Sequence, residues 1–143
     1  MLIAQILSNK GSTVYATSSE ATLAEAAREL MEKRVGCVIV VDADGEMIGI
    51  LSERDIVRQL AERGADCLND TVASAMSQTV VTLHVEETVD MGLARMTDRR
   101  IRHLPVMRDG RLIGLVSIGD LVKRKIEEVE VEAAAMRAYI ASG

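Results

Sequence analysis

The chain carries one pattern twice. Gly45-Glu46-Met47-Ile48-Gly49-Ile50-Leu51-Ser52 returns 65 residues later as Gly110-Arg111-Leu112-Ile113-Gly114-Leu115-Val116-Ser117. Asp55 and Asp120 each follow their serine by three positions. Val35 to Val40 aligns with Ile101 to Val106 at an offset one larger, so the turn Asp42-Ala43-Asp44-Gly45 is one residue longer than its partner before Gly110. Thr22-Leu23 corresponds to Thr88-Val89, and Ile6-Leu7 matches Ala75-Met76 loosely. A co-linear series of this kind marks a duplicated structural unit. One copy alone would bury too little surface for comfort, whereas two can close a joint core.

Each copy reads as strand, helix, strand, strand, helix. Val14-Tyr15-Ala16 and Val80-Val81-Thr82 are short strand-like openings. Thr22 and Thr88 are suited to cap helices that run to about Lys33 and Arg99. In the first of these, Leu23, Ala26, Ala27, Leu30 and Met31 recur at helical spacing. Cys37 to Val41 is an apolar run short enough for a strand covered on both faces. Asp44-Gly45 and Asp109-Gly110 signal tight turns between strands. Ser52 and Ser117 then cap further helices in the pattern S-x-x-D. Gly64 to Asp70 reads as a polar loop joining the halves. The boundaries are 1–66 for the first repeat, 67–126 for the second and 127–143 for a helical extension. The fold class is α+β, two βαββα units with an internal dyad. With no Phe, no Trp and two Tyr, aliphatic side chains and eight Met are left to fill the core.

Gly49-Ile50-Leu51-Ser52-Glu53-Arg54-Asp55 and Gly114-Leu115-Val116-Ser117-Ile118-Gly119-Asp120 resemble the G-h-h-[ST]-x-x-D signature of CBS domains. The preceding turns and strands fit it too, as does the Arg102-His103-Leu104-Pro105-Val106 stretch. From about residue 2 to residue 126 the chain resembles stand-alone bacterial proteins that consist of one tandem CBS pair. The resemblance implies two repeats about a pseudo-twofold axis, association into a flat homodimer, and an adenosyl ligand in the cleft between the repeats.

The S-x-x-D motif has its own chemistry. A serine hydroxyl and free N–H groups at a helix start suit a phosphate, and a carboxylate one turn in can accept both hydroxyls of a ribose diol. The same residues also form a plain capping box. In the family, these positions take the ribose and phosphate of adenosine ligands. The resemblance therefore assigns Asp55 and Asp120 to ribose, and Ser52 and Ser117 to phosphate. Arg102 and His103 open the strand that lines the family's cleft and are candidates for phosphate contact. Arg99 and Arg100 are explained by the helix dipole alone. Thr82 stands where the family presents a Thr to the ligand. Its counterpart is Ala16, with Thr17 adjacent as a substitute. The site of Ser117, Asp120 and Thr82 therefore ranks above that of Ser52 and Asp55, and the pairing of Arg102 and His103 with uncharged Gly36 and Cys37 makes the halves unequal. Pro105 removes one ladder donor. Either this frees a carbonyl for an adenine edge, or it marks an edge strand.

The remaining composition excludes several classes. No apolar run approaches the roughly 18–20 residues of a membrane span, and Met1 to Gly11 lacks the features of a signal peptide. The net charge of −5 argues against a nucleic-acid binder, apart from the small basic cluster Arg99 to Arg102. Cys37 and Cys67 offer neither a disulfide framework nor a zinc pattern. No nucleotide-loop or metalloprotease motif is present, and no histidine stands near the Glu53-Arg54-Asp55 carboxylates. The expectation is a cytoplasmic, non-catalytic regulatory module with no required cofactor and no metal. It binds AMP, ADP, ATP or NAD, does not bind nucleic acid or membrane, and signals to an effector protein the sequence does not identify. S-adenosylmethionine, also bound within the family, is disfavoured because it carries no phosphate for Ser117, Arg102 and His103. The alternative is a constitutive dimeric scaffold whose S-x-x-D motifs are only caps. The segment from Leu121 to Gly143 outruns the repeat. Its stripe of Leu121, Val122, Ile126, Val129 and Ala133, extended by Met136, Tyr139 and Ile140, needs a surface to cover: its own core or a second copy.

Overall fold

The computed structural model describes all residues, Met1–Gly143. They form two compact units: Val14–Val80, and Met1–Thr13 joined with Val81–Gly143. The first holds β1 (Ala16–Ser18), α2 (Leu23–Lys33), β2 (Cys37–Val41), β3 (Met47–Ser52) and α3 (Glu53–Arg63). The second holds α1 (Ile3–Lys10), β4 (Leu83–His84), α4 (Val89–Arg99), β5 (His103–Arg108), β6 (Arg111–Ser117) and α5 (Ile118–Ser142). Each contains one three-stranded sheet with the copy's second strand in the middle, ordered β1-β2-β3 and β4-β5-β6. The middle strand runs parallel to the first and antiparallel to the third. This is the expected βαββα unit, twice.

Local chemistry explains the elements. The hydroxyls of Thr22 and Thr88 accept from the N–H groups of Glu25 and Met91 at 3.1 and 3.2 Å, so both helices start where a cap is available. They stop where Arg34 and Arg100 turn left-handed, at φ of 56° and 55°. Asp109 and Gly110 both have positive φ, 50° and 76°, and link Arg108 to Arg111 as a two-residue hairpin. The longer turn of the first copy is closed by Asp42, whose carboxylate accepts from the N–H groups of Asp44 and Glu46.

The compact units do not follow the consecutive division 1–66, 67–126 and 127–143. Each leader is built into the other copy's core. Ile3, Ile6 and Leu7 pack with Leu83, Val89, Met96, Leu104, Val116 and Leu121. Val72 and Ala75, with Leu68 and Met76, pack with Leu23, Leu30, Val38, Val40 and Leu51. The stretch 127–143 is not set off either, because α5 runs through it without a break.

Four local expectations are corrected. Gly64 to Asp70 is not an open loop: Ala65–Asn69 forms a 3-10 turn that buries Cys67 completely. The opening strands start two and three residues later than Val14 and Val80, because the register to β2 and β5 decides pairing. Met31 lies outside the apolar face of α2, at 74% exposure. Finally, of the eight Met only Met96 is fully enclosed, so Ile, Leu and Val make the cores. No helix is long and apolar enough to cross a membrane.

Candidate functional site

In the second unit the β5–β6 ladder sets His103 directly beside Ser117. β4 lies along the other edge of β5, with Leu83 opposite Val106. Thr82, just before β4, is thereby brought to the same end of the sheet as His103 and Ser117. α5 starts there, its first N–H, that of Ile118, donating to the Arg102 carbonyl at 2.8 Å. Ser117 caps α5: its hydroxyl accepts from the Asp120 N–H at 3.2 Å, while its own N–H donates to Asp120 Oδ2 at 2.8 Å. Gly119, in the first turn of α5, has no side chain over the helix start; a Cβ there would lie 3.6 Å from the Ser117 hydroxyl. One sheet end thus gathers Thr82, Arg102, His103, Ser117 and Asp120.

Two features of this end were not legible in the motifs. Lys10, the last residue of α1, donates from Nζ to Asp120 Oδ2 at 2.5 Å. Burial pushes the Asp120 carboxyl up, but the Lys10 ammonium and the Ser117 N–H together outweigh it and hold it below the ordinary aspartate range. The second feature is a clamp on the Thr82 segment. Arg95 binds Glu87 through both nitrogens, at 2.8 and 2.6 Å, and donates to the Thr82 carbonyl at 2.9 Å. Glu87 also accepts from the His84 N–H at 2.7 Å. The Arg95 guanidinium is the main cause of a lowered Glu87 pKa, with burial opposing it. The corresponding positions of the first copy are Ala21 and Glu29, so only one copy has the clamp.

Pro105 lies in β5, the middle strand of its sheet, which removes the edge-strand reading. Its counterpart Ile39 donates its N–H to the Tyr15 carbonyl at 3.0 Å. Pro105 has no N–H, and the matching carbonyl of Val81 receives no such bond. The pair Ala16–Ile39 is a ladder pair, whereas its equivalent, Thr82–Pro105, is not.

In the first unit Ser52 stands beside Cys37 in the β2–β3 ladder and caps α3. Asp55 accepts from the Ser52 N–H at 2.8 Å and hydroxyl at 3.1 Å, and Arg58 takes its other oxygen at 3.0 Å. Both carboxylate oxygens are thus engaged within the unit. Ala16 is exposed, and the neighbouring Thr17 is packed away at 8% exposure rather than presented as a substitute. Both cysteines are buried, and no three His, Cys, Asp or Glu are grouped as a metal site.

Comparison with known proteins supplies further findings. A sequence model of the CBS domain matches residues 12–62 and again 72–127. A CBS-domain containing protein from Agrobacterium tumefaciens is 40% identical, with a TM-score of 0.85, covering 87% of this chain and 92% of that one. The CBS domain pair of protein MJ0100, solved with 5′-methylthioadenosine and S-adenosyl-L-methionine, is 26% identical, with a TM-score of 0.78 and coverage of 90% and 98%. A CBS domain protein from Pyrobaculum aerophilum, complexed with AMP, is 27% identical, with a TM-score of 0.74 and coverage of 84% and 89%. The chain spans 57% to 73% of the length of the first four curated relatives it matches, at 33% or 34% identity.

Proposed function

The chain belongs to the CBS-domain family, with two copies in tandem, and on that premise we propose that it is a regulatory module that does no chemistry and binds an adenine nucleotide: AMP, ADP, ATP or NAD. The observation that carries this reading is the single sheet end holding Thr82, His103, Ser117 and Asp120 around the start of α5. The start of a long helix with a glycine in its first turn suits a phosphate, and an ionised Asp120 suits a ribose diol. Relatives solved with AMP and with adenosyl compounds support the ligand class. No cofactor is required. The ligand shifts the population toward the arrangement it binds better, and an effector protein reads that shift.

The test is thermal unfolding followed by circular dichroism, with and without millimolar AMP, ATP, NAD or S-adenosylmethionine. A ligand at 100 times its Kd stabilises by about 2.7 kcal/mol, a rise of several degrees in Tm. Asp120→Asn abolishes that rise. If no ligand moves the transition, the sensor reading fails.

The closed capping boxes at Ser52–Asp55 and Ser117–Asp120 favour a second reading, a dimeric scaffold with no ligand. On that reading Asp120→Asn costs about 0.5–2 kcal/mol of stability and there is no affinity to lose. Either reading is compatible with a homodimer, which we place along the exposed apolar stripe of α5.

A further inference from the structure

The ammonium on Asp120 comes from neither S-x-x-D motif. Lys10 ends α1, whose Ile3, Ile6 and Leu7 are buried in the unit that carries α5, so the base of its side chain is anchored. Its Nζ lies 2.5 Å from Asp120 Oδ2, the oxygen that also accepts from the Ser117 N–H at 2.8 Å. The charge therefore stands at the α5 N-terminus, on the carboxylate that closes the Ser117 cap. A lysine carries three donors on a flexible four-carbon stem, so it can change partners without the backbone moving. The first copy is built differently. Asp55 is met from its own helix by Arg58, and aligning Ile6-Leu7 with Ala75-Met76 puts Thr79 opposite Lys10.

Resting on the nucleotide reading above, we infer that Lys10 selects phosphate-bearing adenosyl ligands, its ammonium passing from Asp120 to the phosphate as the ribose diol takes the carboxylate. A diol that donates both hydroxyls to Asp120 competes with Lys10 for Oδ2. With a nucleotide, the displaced ammonium regains a charge-assisted bond on the phosphate. With adenosine it loses its partner and regains nothing. With a sulfonium ligand it meets a like charge. Discrimination thus comes from what becomes of Lys10 as well as from what the ligand touches.

Calorimetric titration of AMP and adenosine into the unmodified chain, Lys10→Met and Lys10→Arg tests this. The expected result is that Lys10→Met lowers the AMP-to-adenosine affinity ratio by about ten- to a hundredfold, the worth of the charge-assisted bond that only AMP returns to Lys10. Adenosine tightens, because it no longer displaces an ammonium, and Lys10→Arg keeps the preference for AMP. Circular dichroism verifies the folding of each variant, with Lys10→Gln in reserve should Lys10→Met not fold. An unchanged AMP-to-adenosine ratio in Lys10→Met, or Lys10→Gln in its place, overturns the inference and leaves the nucleotide reading standing. If the unmodified chain binds neither compound, nor ATP or NAD in the same titration, both fall.

Discussion

Gly49 and Gly114 occupy matching strand positions and show how a leader is received by each sheet. A Cβ on Gly49 would lie 2.7 Å from Met76 Sδ and 2.9 Å from the Ser77 carbonyl oxygen. That carbonyl is fixed, because Ser77 and Ile50 exchange both backbone bonds at 2.9 and 3.0 Å. A Cβ on Gly114 would meet only the tip of Leu7, at 2.7 and 3.0 Å, which can change rotamer. Gly49→Ala is therefore expected to cost about 1–3 kcal/mol in urea unfolding, and Gly114→Ala clearly less. Charge at single residues sets the acid limit. The carboxyls of Asp120 and Glu87 titrate below their ordinary values in the folded chain. The unfolded chain thus binds more protons there. Their stabilisation is complete above about pH 4.5 and is lost as pH falls through the lowered folded values. Glu87→Gln should make stability shallower with pH on the acid side, read as Tm from about pH 6 to 3; an identical acid limb would remove Glu87 from that role.

At the scale of elements, the one proline explains why β4 is shorter than β1. Pro105→Ile recreates the sequence of the first copy, where the Ile39 N–H bonds the Tyr15 carbonyl. The variant should lengthen β4 to include Thr82, detectable as a slowly exchanging amide at position 105. Helices were the legible elements, because Thr22 and Thr88 supply their starts in the sequence itself and the apolar spacing supplies their length. Strand limits were less so, because pairing to a neighbour sets them: Val14-Tyr15-Ala16 is as strand-like as Ala16–Ser18, and only the register to Ile39 through Val41 chooses. The same division holds at the candidate site. Ser117 and Asp120 stand three residues apart and can be read as a motif. Lys10 meets Asp120 across 110 residues, and Arg95 meets the Thr82 carbonyl across 13, contacts for which the chain carries no local signal. The leaders hid for that reason too: their apolar residues were visible, but not which copy would receive them.

For the whole molecule, the unresolved demand is the outer face of α5. Its 25 residues run well past residue 127, where the match of the second CBS copy ends. Val122, Ile126, Val129, Met136 and Ile140 are 40%, 53%, 49%, 60% and 70% exposed, far more than a monomer would spend its apolar side chains on in one line. With Ala133 they are spaced alternately by four and three, the spacing of a coiled-coil seam. In two parallel copies the flanking positions would be complementary, Lys125 of one facing Glu130 of the other and Glu132 facing Arg137. Lys125 already reaches Asp90 in its own chain at 3.0 Å, so in such a dimer the Glu132–Arg137 pairs would carry more of the orientation. Rim charges of this kind set register more than affinity. The seam itself would carry the energy of such a dimer, so it is the part to break. Ile126→Glu combined with Ile140→Glu places two carboxylates on it without touching either core, since neither residue belongs to one. The expected outcome in sedimentation velocity is a dimer for the unmodified chain and a monomer for the double variant, with unchanged helical circular dichroism. A dimer that survives both substitutions would place the contact on another surface, and an unmodified chain that sediments as a monomer would leave the stripe without a second copy to cover it.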